Sequence, residues 1–144
     1  MQIGIINKSG HLLPEYKTSG ASGMDIRAHL ADEVLISPGE IKSISTGLFF
    51  EIPSEFEIEV RPRSGLALKH GITVLNTPGT IDSDYRGELL IILINHSSKN
   101  FKINNGDRIA QIVLSKVEKI TWSKTDLLSK TGRGSRGFGS TGKI

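Results

Sequence analysis

The sequence contains no cysteine, which excludes a disulfide framework and any zinc site built on thiolates. Its histidines, His11, His29, His70 and His96, are scattered rather than grouped at ligand spacing, so no histidine metal cluster is expected. Aromatics are few, with one tryptophan, two tyrosines and five phenylalanines. They form no alternating cluster on any strand-like run, which argues against a stacking platform for single-stranded nucleic acid. Long apolar runs are missing too. The longest, Leu89 to Ile94, is far too short to span a bilayer. The start, Met1-Gln-Ile-Gly-Ile-Ile-Asn-Lys, lacks the charged beginning and apolar stretch of a signal peptide. These absences predict a soluble, cytoplasmic protein with no membrane partner.

What the chain does contain is a series of short alternating or apolar segments separated by turn residues. They are Gln2 to Asn7, Met24 to Ala28, Glu33 to Ile36, Ile41 to Ile52, Phe56 to Val60, Ile72 to Leu75, Leu89 to Ile94 and Ala110 to Val117. The pattern predicts an all-β fold. With 144 residues the chain makes one domain, large enough to enclose a core without covalent staples. Phe56-Glu-Ile-Glu-Val60 alternates strictly and predicts one wet face, whereas Leu89 to Ile94 is apolar throughout and predicts a strand buried on both faces. One short helix is expected after Arg63, with Ser64 as its N-cap and Gly71 as its end. So many short strands suggest a closed or sandwich-like architecture rather than an open sheet, whose edges invite aggregation. From Ser129 onward the apolar periodicity stops, so residues 1–128 read as a β-rich core and 129–144 as a mobile Gly-rich tail. A formal charge of +3 favours a polyanionic partner, either nucleic acid or a small phosphorylated molecule.

The densest chemistry lies between Asn76 and Glu88, Asn-Thr-Pro-Gly-Thr-Ile-Asp-Ser-Asp-Tyr-Arg-Gly-Glu. Its flanks, Ile72 to Leu75 and Leu89 to Ile94, make it one arm and the turn of a hairpin. Pro78-Gly79 and Gly87 supply the chain reversal, but a turn has no structural need for Asn76, Asp82, Asp84, Tyr85 and Arg86 together. Asn76 is a candidate buried amide. Arg61-Pro62-Arg63-Ser64-Gly65-Leu66 places an arginine and a hydroxyl at the start of the expected helix, where unpaired N–H groups favour an anion. In Ser22-Gly23-Met24-Asp25-Ile26-Arg27-Ala28, Asp25 and Arg27 share one strand face, opposite Met24, Ile26 and Ala28. Gly106-Asp107-Arg108-Ile109-Ala110-Gln111 reads as a turn entering a strand, with the uncharged Gln111 the one hint of ligand contact. In the tail, successive glycines leave backbone N–H groups open to phosphate oxygens, Arg133, Arg136, Ser140 and Thr141 add donors, and the lone Phe138 suits stacking on a base.

In order and spacing these segments resemble the homotrimeric dUTPases, the dUTP pyrophosphatases. The matching motifs are Ala21-Ser-Gly-Met-Asp25, Arg63-Ser-Gly-Leu-Ala67, Asn76 to Gly87, Gly106-Asp-Arg-Ile-Ala-Gln111 and Arg133-Gly-Ser-Arg-Gly-Phe-Gly-Ser-Thr-Gly142. Arg136 stands where many members carry glycine. The resemblance implies a distorted β-sandwich of jelly-roll type with one short helix and a flexible C-terminal tail, assembled as a homotrimer with shared active sites. It implies hydrolysis of dUTP to dUMP and pyrophosphate, which keeps uracil out of DNA and supplies dUMP for thymidylate synthesis. In that reading Asp82 is the general base that orients water for in-line attack on the α-phosphorus. Arg63, Ser64, Gly65 and Gln111 hold the α- and β-phosphates. Asn76 and main-chain groups around Gly79, Thr80, Ile81 and Leu90 read the uracil edge, and Tyr85 lies beneath the deoxyribose. Arg133, Gly139, Ser140 and Thr141 close over the γ-phosphate while Phe138 stacks on uracil. Magnesium is expected on the triphosphate, touched by Asp25 through a water.

Two other readings compete. In a dCTP deaminase, a relative with the same fold, a glutamate serves as deamination base in the strand after the turn. The corresponding position here, counted from Gly87, is Ile92, which cannot relay a proton. A non-catalytic nucleic-acid-binding β-barrel with a basic tail would need the aromatic platform that the sequence lacks, so no nucleic acid is required as a partner.

Overall fold

The computed structural model describes residues 1–137 and divides them into eleven strands and one helix. The strands are β1 (Gly4–Asn7), β2 (Met24–Arg27), β3 (Val34–Ile36), β4 (Ile41–Ser45), β5 (Leu48–Glu51) and β6 (Phe56–Arg61), then, after the helix α1 (Ser64–His70), β7 (Ile72–Val74), β8 (Gly79–Ile81), β9 (Leu90–Asn95), β10 (Phe101–Ile103) and β11 (Arg108–Lys116). All pairings are antiparallel. A four-stranded sheet runs β2-β11-β6-β8 and a three-stranded sheet β4-β9-β7, with β1-β5 and β10-β3 as two-stranded ribbons. One buried cluster draws Ile26, Ile58, Val60 and Ile112 from the first sheet and Ile44, Ile72, Val74, Ile91 and Leu93 from the second. Two sheets sharing one apolar core make a sandwich, the all-β architecture expected. Among the described residues no sheet closes on itself, so the barrel alternative falls away. No helix among them is long and apolar enough to cross a membrane.

Most strand runs appear where the pattern places them, with four differences. The run Ile41 to Ile52 is two strands, because Gly47 turns the chain with φ 66°. A side chain there would be strained by that φ and would meet the Ser9 backbone nitrogen at 2.8 Å, so only glycine fits. The expected N-cap moves by one residue: Arg63, with extended φ and ψ, is the N-cap, and Ser64 is the first helical residue with no capping hydrogen bond. Gly71 ends the helix as expected, in the left-handed conformation, its N–H reaching the Ala67 and Leu66 carbonyls. β9 is not buried on both faces. Ile91, Leu93 and Asn95 point into the core while Leu90 is exposed and Ile92 and Ile94 are half-buried, so the apolar run reflects two faces of different fate. Finally, β8 and β10 are three residues each, too short for alternation to register in the sequence.

The predicted hairpin is built by β7 and β9, with Ile72 opposite Asn95 and Val74 opposite Leu93, and Leu75 N–H bonding the Ile92 carbonyl at 2.9 Å. Its connection does not stay a simple turn. β8 crosses to the other sheet, with Val60 opposite Gly79 and Ile58 opposite Ile81, so the segment from Asn76 to Leu90 bridges both layers. After β11, residues 117–137 contain no helix or strand. Ile120, Trp122, Leu127 and Leu128 are exposed there.

Candidate active site

The bridging segment encloses a cavity of about 240 Å³. Its lining joins Asn76, Thr80, Ile81, Asp82, Tyr85 and Leu90, six of the predicted residues, with Glu88 and Ile92. Gly79 is buried at the edge of this group: a Cβ there would press on Asn76 Nδ2 at 3.1 Å and Val60 Cβ at 3.3 Å. Asn76 itself is exposed, not the buried amide the sequence suggested, because it lies beyond the last β7–β9 hydrogen bond. Tyr85 folds back over its own turn, with its N–H bonding the Asp82 carbonyl at 3.2 Å and its hydroxyl donating to the Glu88 carbonyl at 3.0 Å. Gly87 is what permits this, since a Cβ at that position would overlap the Tyr85 phenol.

The two carboxylates of the cavity are in different electrostatic situations. Glu88 Oε1 accepts from Gly47 N–H at 2.7 Å, from Thr46 N–H at 3.1 Å and from the Ser45 hydroxyl. Burial works to raise its pKa, but these three donors, helped by His29, outweigh it and hold the carboxyl below the ordinary glutamate value. Asp82 is exposed, and among the described residues no group donates a hydrogen bond to its carboxylate. A carboxylate committed to three donors of its own chain and held below its ordinary pKa is a poor proton acceptor, whereas an unengaged one facing a cavity can take a proton from water. Asp82 is therefore the candidate base, and Ile92, apolar and in the same lining, offers no second one.

A second group forms at the other end of the four-stranded sheet. Asp25 Oδ1 accepts from Arg63 Nε at 3.0 Å, and its Oδ2 from Arg108 Nη1 at 2.9 Å, while Arg63 Nη1 also donates to the Arg108 carbonyl at 2.8 Å. Gln111 stands directly opposite Asp25 in register and donates from Nε2 to the Pro62 carbonyl at 2.9 Å. Gly23 makes room for it, because a Cβ there would overlap the Gln111 amide oxygen. Arg27 shares the Asp25 face as predicted, and its Nη1 donates to the Gly106 carbonyl at 2.7 Å, bracing the turn into β11. Ser64 and Gly65 open α1 on the exposed surface next to Arg63. This is an anion-binding chemistry, with two guanidinium groups oriented by a carboxylate and an amide oriented by the Pro62 carbonyl.

The chain does not bring its two groups together. The row Asp25–Gln111–Arg61 extends across the sheet to Pro78, one residue beyond the Val60–Gly79 pair. Three strand spacings of about 4.8 Å and four residues of about 3.3 Å then place Asp82 roughly 20 Å from Asp25. Among the described residues no side-chain hydrogen bond or ion pair joins them. Arg133 is exposed, and among the described residues its side chain donates from Nε to the Arg136 carbonyl at 2.9 Å. Phe138, Gly139, Ser140 and Thr141 lie outside the described residues. The sequence reading missed Glu88 and Arg108. A glutamate placed directly before an apolar run, and an arginine in the turn that leads to Gln111, were the available signals.

Among the described residues no group of three or more His, Asp or Glu side chains converges to hold a metal. Asp25, with both oxygens engaged by arginines, suits contact through a water better than direct ligation. Another cavity, of about 250 Å³, is lined by Met1, Ile3, Leu13, Tyr16 and Phe50 among others, and has no carboxylate, histidine or lysine in its wall.

Comparison with known proteins places these arrangements in context. The family model described as dUTPase matches residues 11–142. A deoxyuridine 5′-triphosphate nucleotidohydrolase of Treponema denticola is 57% identical over 135 residues, 94% of this chain and 94% of that protein. One of Cytophaga hutchinsonii is 50% identical over 141 residues, covering 98% of this chain and 92% of the relative. Among solved structures, the dUTPase of Staphylococcus bacteriophage 80alpha with dUPNHPP superposes with a TM-score of 0.88, covering 98% of each chain at 24% identity, a likeness of fold.

Proposed function

The chain belongs to the dUTPase family, and from that premise we propose how its residues carry out the hydrolysis of dUTP to dUMP and pyrophosphate. Asp82 takes a proton from water as that water attacks the α-phosphorus in line with the leaving pyrophosphate. The observation that carries this assignment is the contrast in the cavity, where Glu88 Oε1 accepts three hydrogen bonds while among the described residues no group donates to the Asp82 carboxylate. Asn76 and the main chain of Gly79, Thr80, Ile81 and Leu90 read the uracil edge, and Tyr85, held by its bond to the Glu88 carbonyl, sits beneath the deoxyribose and blocks a ribose 2′-hydroxyl. Arg63, Ser64, Gly65 and Gln111 hold the α- and β-phosphates. Arg133, Gly139, Ser140 and Thr141 close over the γ-phosphate with Phe138 on the base, so that residues 129–144 act as a tail over the nucleotide bound to the 1–128 core.

Magnesium fits this donor set as an ion carried chiefly by the triphosphate and waters, with Asp25 orienting one of those waters. When bound, it neutralises charge on the phosphate oxygens as pyrophosphate departs. Strand spacing sets Asp82 and Asp25 roughly 20 Å apart, backbone to backbone, at opposite ends of the four-stranded sheet, and among the described residues no side-chain hydrogen bond links their groups. This supports a site completed by other copies of the chain, a homotrimer with shared active sites. Exposed Leu75 and Leu90 beside the cavity and Ile41 at the edge of the same sheet layer supply apolar surface for such contacts.

The testing experiment is incubation with dUTP and magnesium, and separately with dCTP, with assays for pyrophosphate and ammonia. Pyrophosphate from dUTP without ammonia from dCTP is the expected result. Ammonia from dCTP would make the chain a deaminase despite Ile92, and binding of oligonucleotide with steep salt dependence and no turnover would make it a nucleic-acid module.

A further inference from the structure

Among the described residues, Glu88 is the side chain of the cavity whose hydrogen bonds leave the Asn76–Leu90 segment and fasten it to another element. Its Oε1 alone receives the Ser45 hydroxyl, Thr46 N–H at 3.1 Å and Gly47 N–H at 2.7 Å, from the last residue of β4 and the turn that follows it. That turn is itself rigid. Thr46 is buried, its hydroxyl donates to the Leu89 carbonyl at 2.6 Å, and it accepts Leu48 N–H at 3.2 Å. The Gly47 carbonyl takes Lys8 N–H at 2.7 Å, and Leu89 N–H returns to the Leu48 carbonyl at 2.8 Å. On the cavity side the Glu88 carbonyl receives the Tyr85 hydroxyl, and Tyr85 N–H holds the Asp82 carbonyl. A continuous chain of bonds thus runs from the β4–β5 turn through Glu88 and Tyr85 to Asp82.

We propose that Glu88 is a positioning residue for the reaction: its carboxylate latches the Asp82–Glu88 loop to the β4–β5 turn and so sets where Asp82 and Tyr85 stand. The proposal rests on the reading of Asp82 as base and Tyr85 as sugar gate. It follows from the geometry that the latch needs an oxygen acceptor at the Oε1 position and not a second charge in the cavity, since all three donors converge on one atom. A carboxamide can offer that acceptor, and a methyl group cannot.

The experiment compares Glu88→Ala, Glu88→Gln and Ser45→Ala with the parent, reading kcat and KM for dUTP, the UTP-to-dUTP ratio of kcat/KM, and folding by circular dichroism. Glu88→Ala is expected to lower kcat by about 10- to 100-fold, the scale of a roughly 1 Å misplacement of a catalytic group, and to raise the UTP ratio by about threefold or more. Glu88→Gln recovers most of both losses, and Ser45→Ala shifts both readouts in the same direction by about two- to fourfold. A folded Glu88→Ala with parental kcat and ratio overturns the latch, as does a Glu88→Gln as impaired as Glu88→Ala. Should Glu88→Ala fail to fold, a Ser45→Ala with parental kcat and ratio overturns it instead. Asp82→Asn in the same series separates the premises: if that variant stays active the Asp82 reading fails, whereas an inactive Asp82→Asn beside a parental Glu88→Ala removes the latch alone.

Discussion

Gly87 and Tyr85 show how much a single methyl group decides. The phenol occupies the space that any Cβ at position 87 would need, and from there its hydroxyl reaches the Glu88 carbonyl. If this ring is the barrier beneath the sugar, Tyr85→Ala raises the rate on UTP relative to dUTP while harming dUTP turnover, read as a ratio of kcat/KM for the two nucleotides. Asp82→Asn fills the same space but cannot accept a proton. It is expected to retain binding of a non-hydrolysable dUTP analogue and to lose about a hundredfold or more in kcat. Turnover within a few-fold of the parent would require another base. At this scale much was legible in the sequence, because side chains that a turn does not need betray chemistry. What was not legible is reciprocal fit across the chain. Gly23 is a glycine because of Gln111, and Glu88 matters because of Ser45 to Gly47, contacts that only the pairing of distant strands creates.

Elements carry a different kind of information. Period-two alternation located most strands, but it could not say that Ile41 to Ile52 breaks at Gly47, since nothing in an apolar run announces that the Ser9 backbone will pass within contact distance. Nor could it say that one face of an apolar run enters the core while the other stays partly open, and β9 shows that difference. Its last residue, Asn95, is fully buried and saturated: Nδ2 donates to the Ile36 and Lys99 carbonyls at 2.9 and 2.8 Å, and Oδ1 accepts Ser97 N–H and its hydroxyl at 2.9 and 2.8 Å. Asn95→Ala strands these partners, and a loss of about 2–3 kcal/mol in urea unfolding is expected. The Glu88 latch gives the element scale a pH signature. Its carboxyl is held below the ordinary glutamate value of 4.5 in the folded protein, so the stability it contributes is fully present above that value and is lost as pH falls through the lowered one. The stability difference between the parent and Glu88→Gln, followed by urea unfolding from about pH 7 to about pH 3, therefore narrows on acidification.

For the whole molecule, what matters most is that one chain holds its candidate base and its anion-binding group at opposite ends of a sheet, roughly 20 Å apart by strand spacing. Motif order along a sequence says nothing of this distance, which is why the expectation of a shared site rested on the resemblance and not on strand periodicity. Truncation after Lys130 is expected to leave folding and assembly intact while abolishing turnover, checked by sedimentation and a pyrophosphate assay, since none of the described residues 131–137 belongs to the buried cluster. The most direct test of the account mixes two inactive proteins, Arg63→Ala and Asp82→Asn, under conditions of subunit exchange. In Arg63→Ala the Asp25 carboxylate keeps its pair with Arg108, and folding of the variant is checked by circular dichroism before mixing. In a mixed assembly the Arg63→Ala chain supplies an intact Asp82 and the Asp82→Asn chain an intact Arg63, a combination neither protein has alone. The account predicts that dUTP turnover returns on mixing. Mixed assemblies verified by mass analysis that remain inactive would contradict it, placing Asp82 and Arg63 of the same chain in one site.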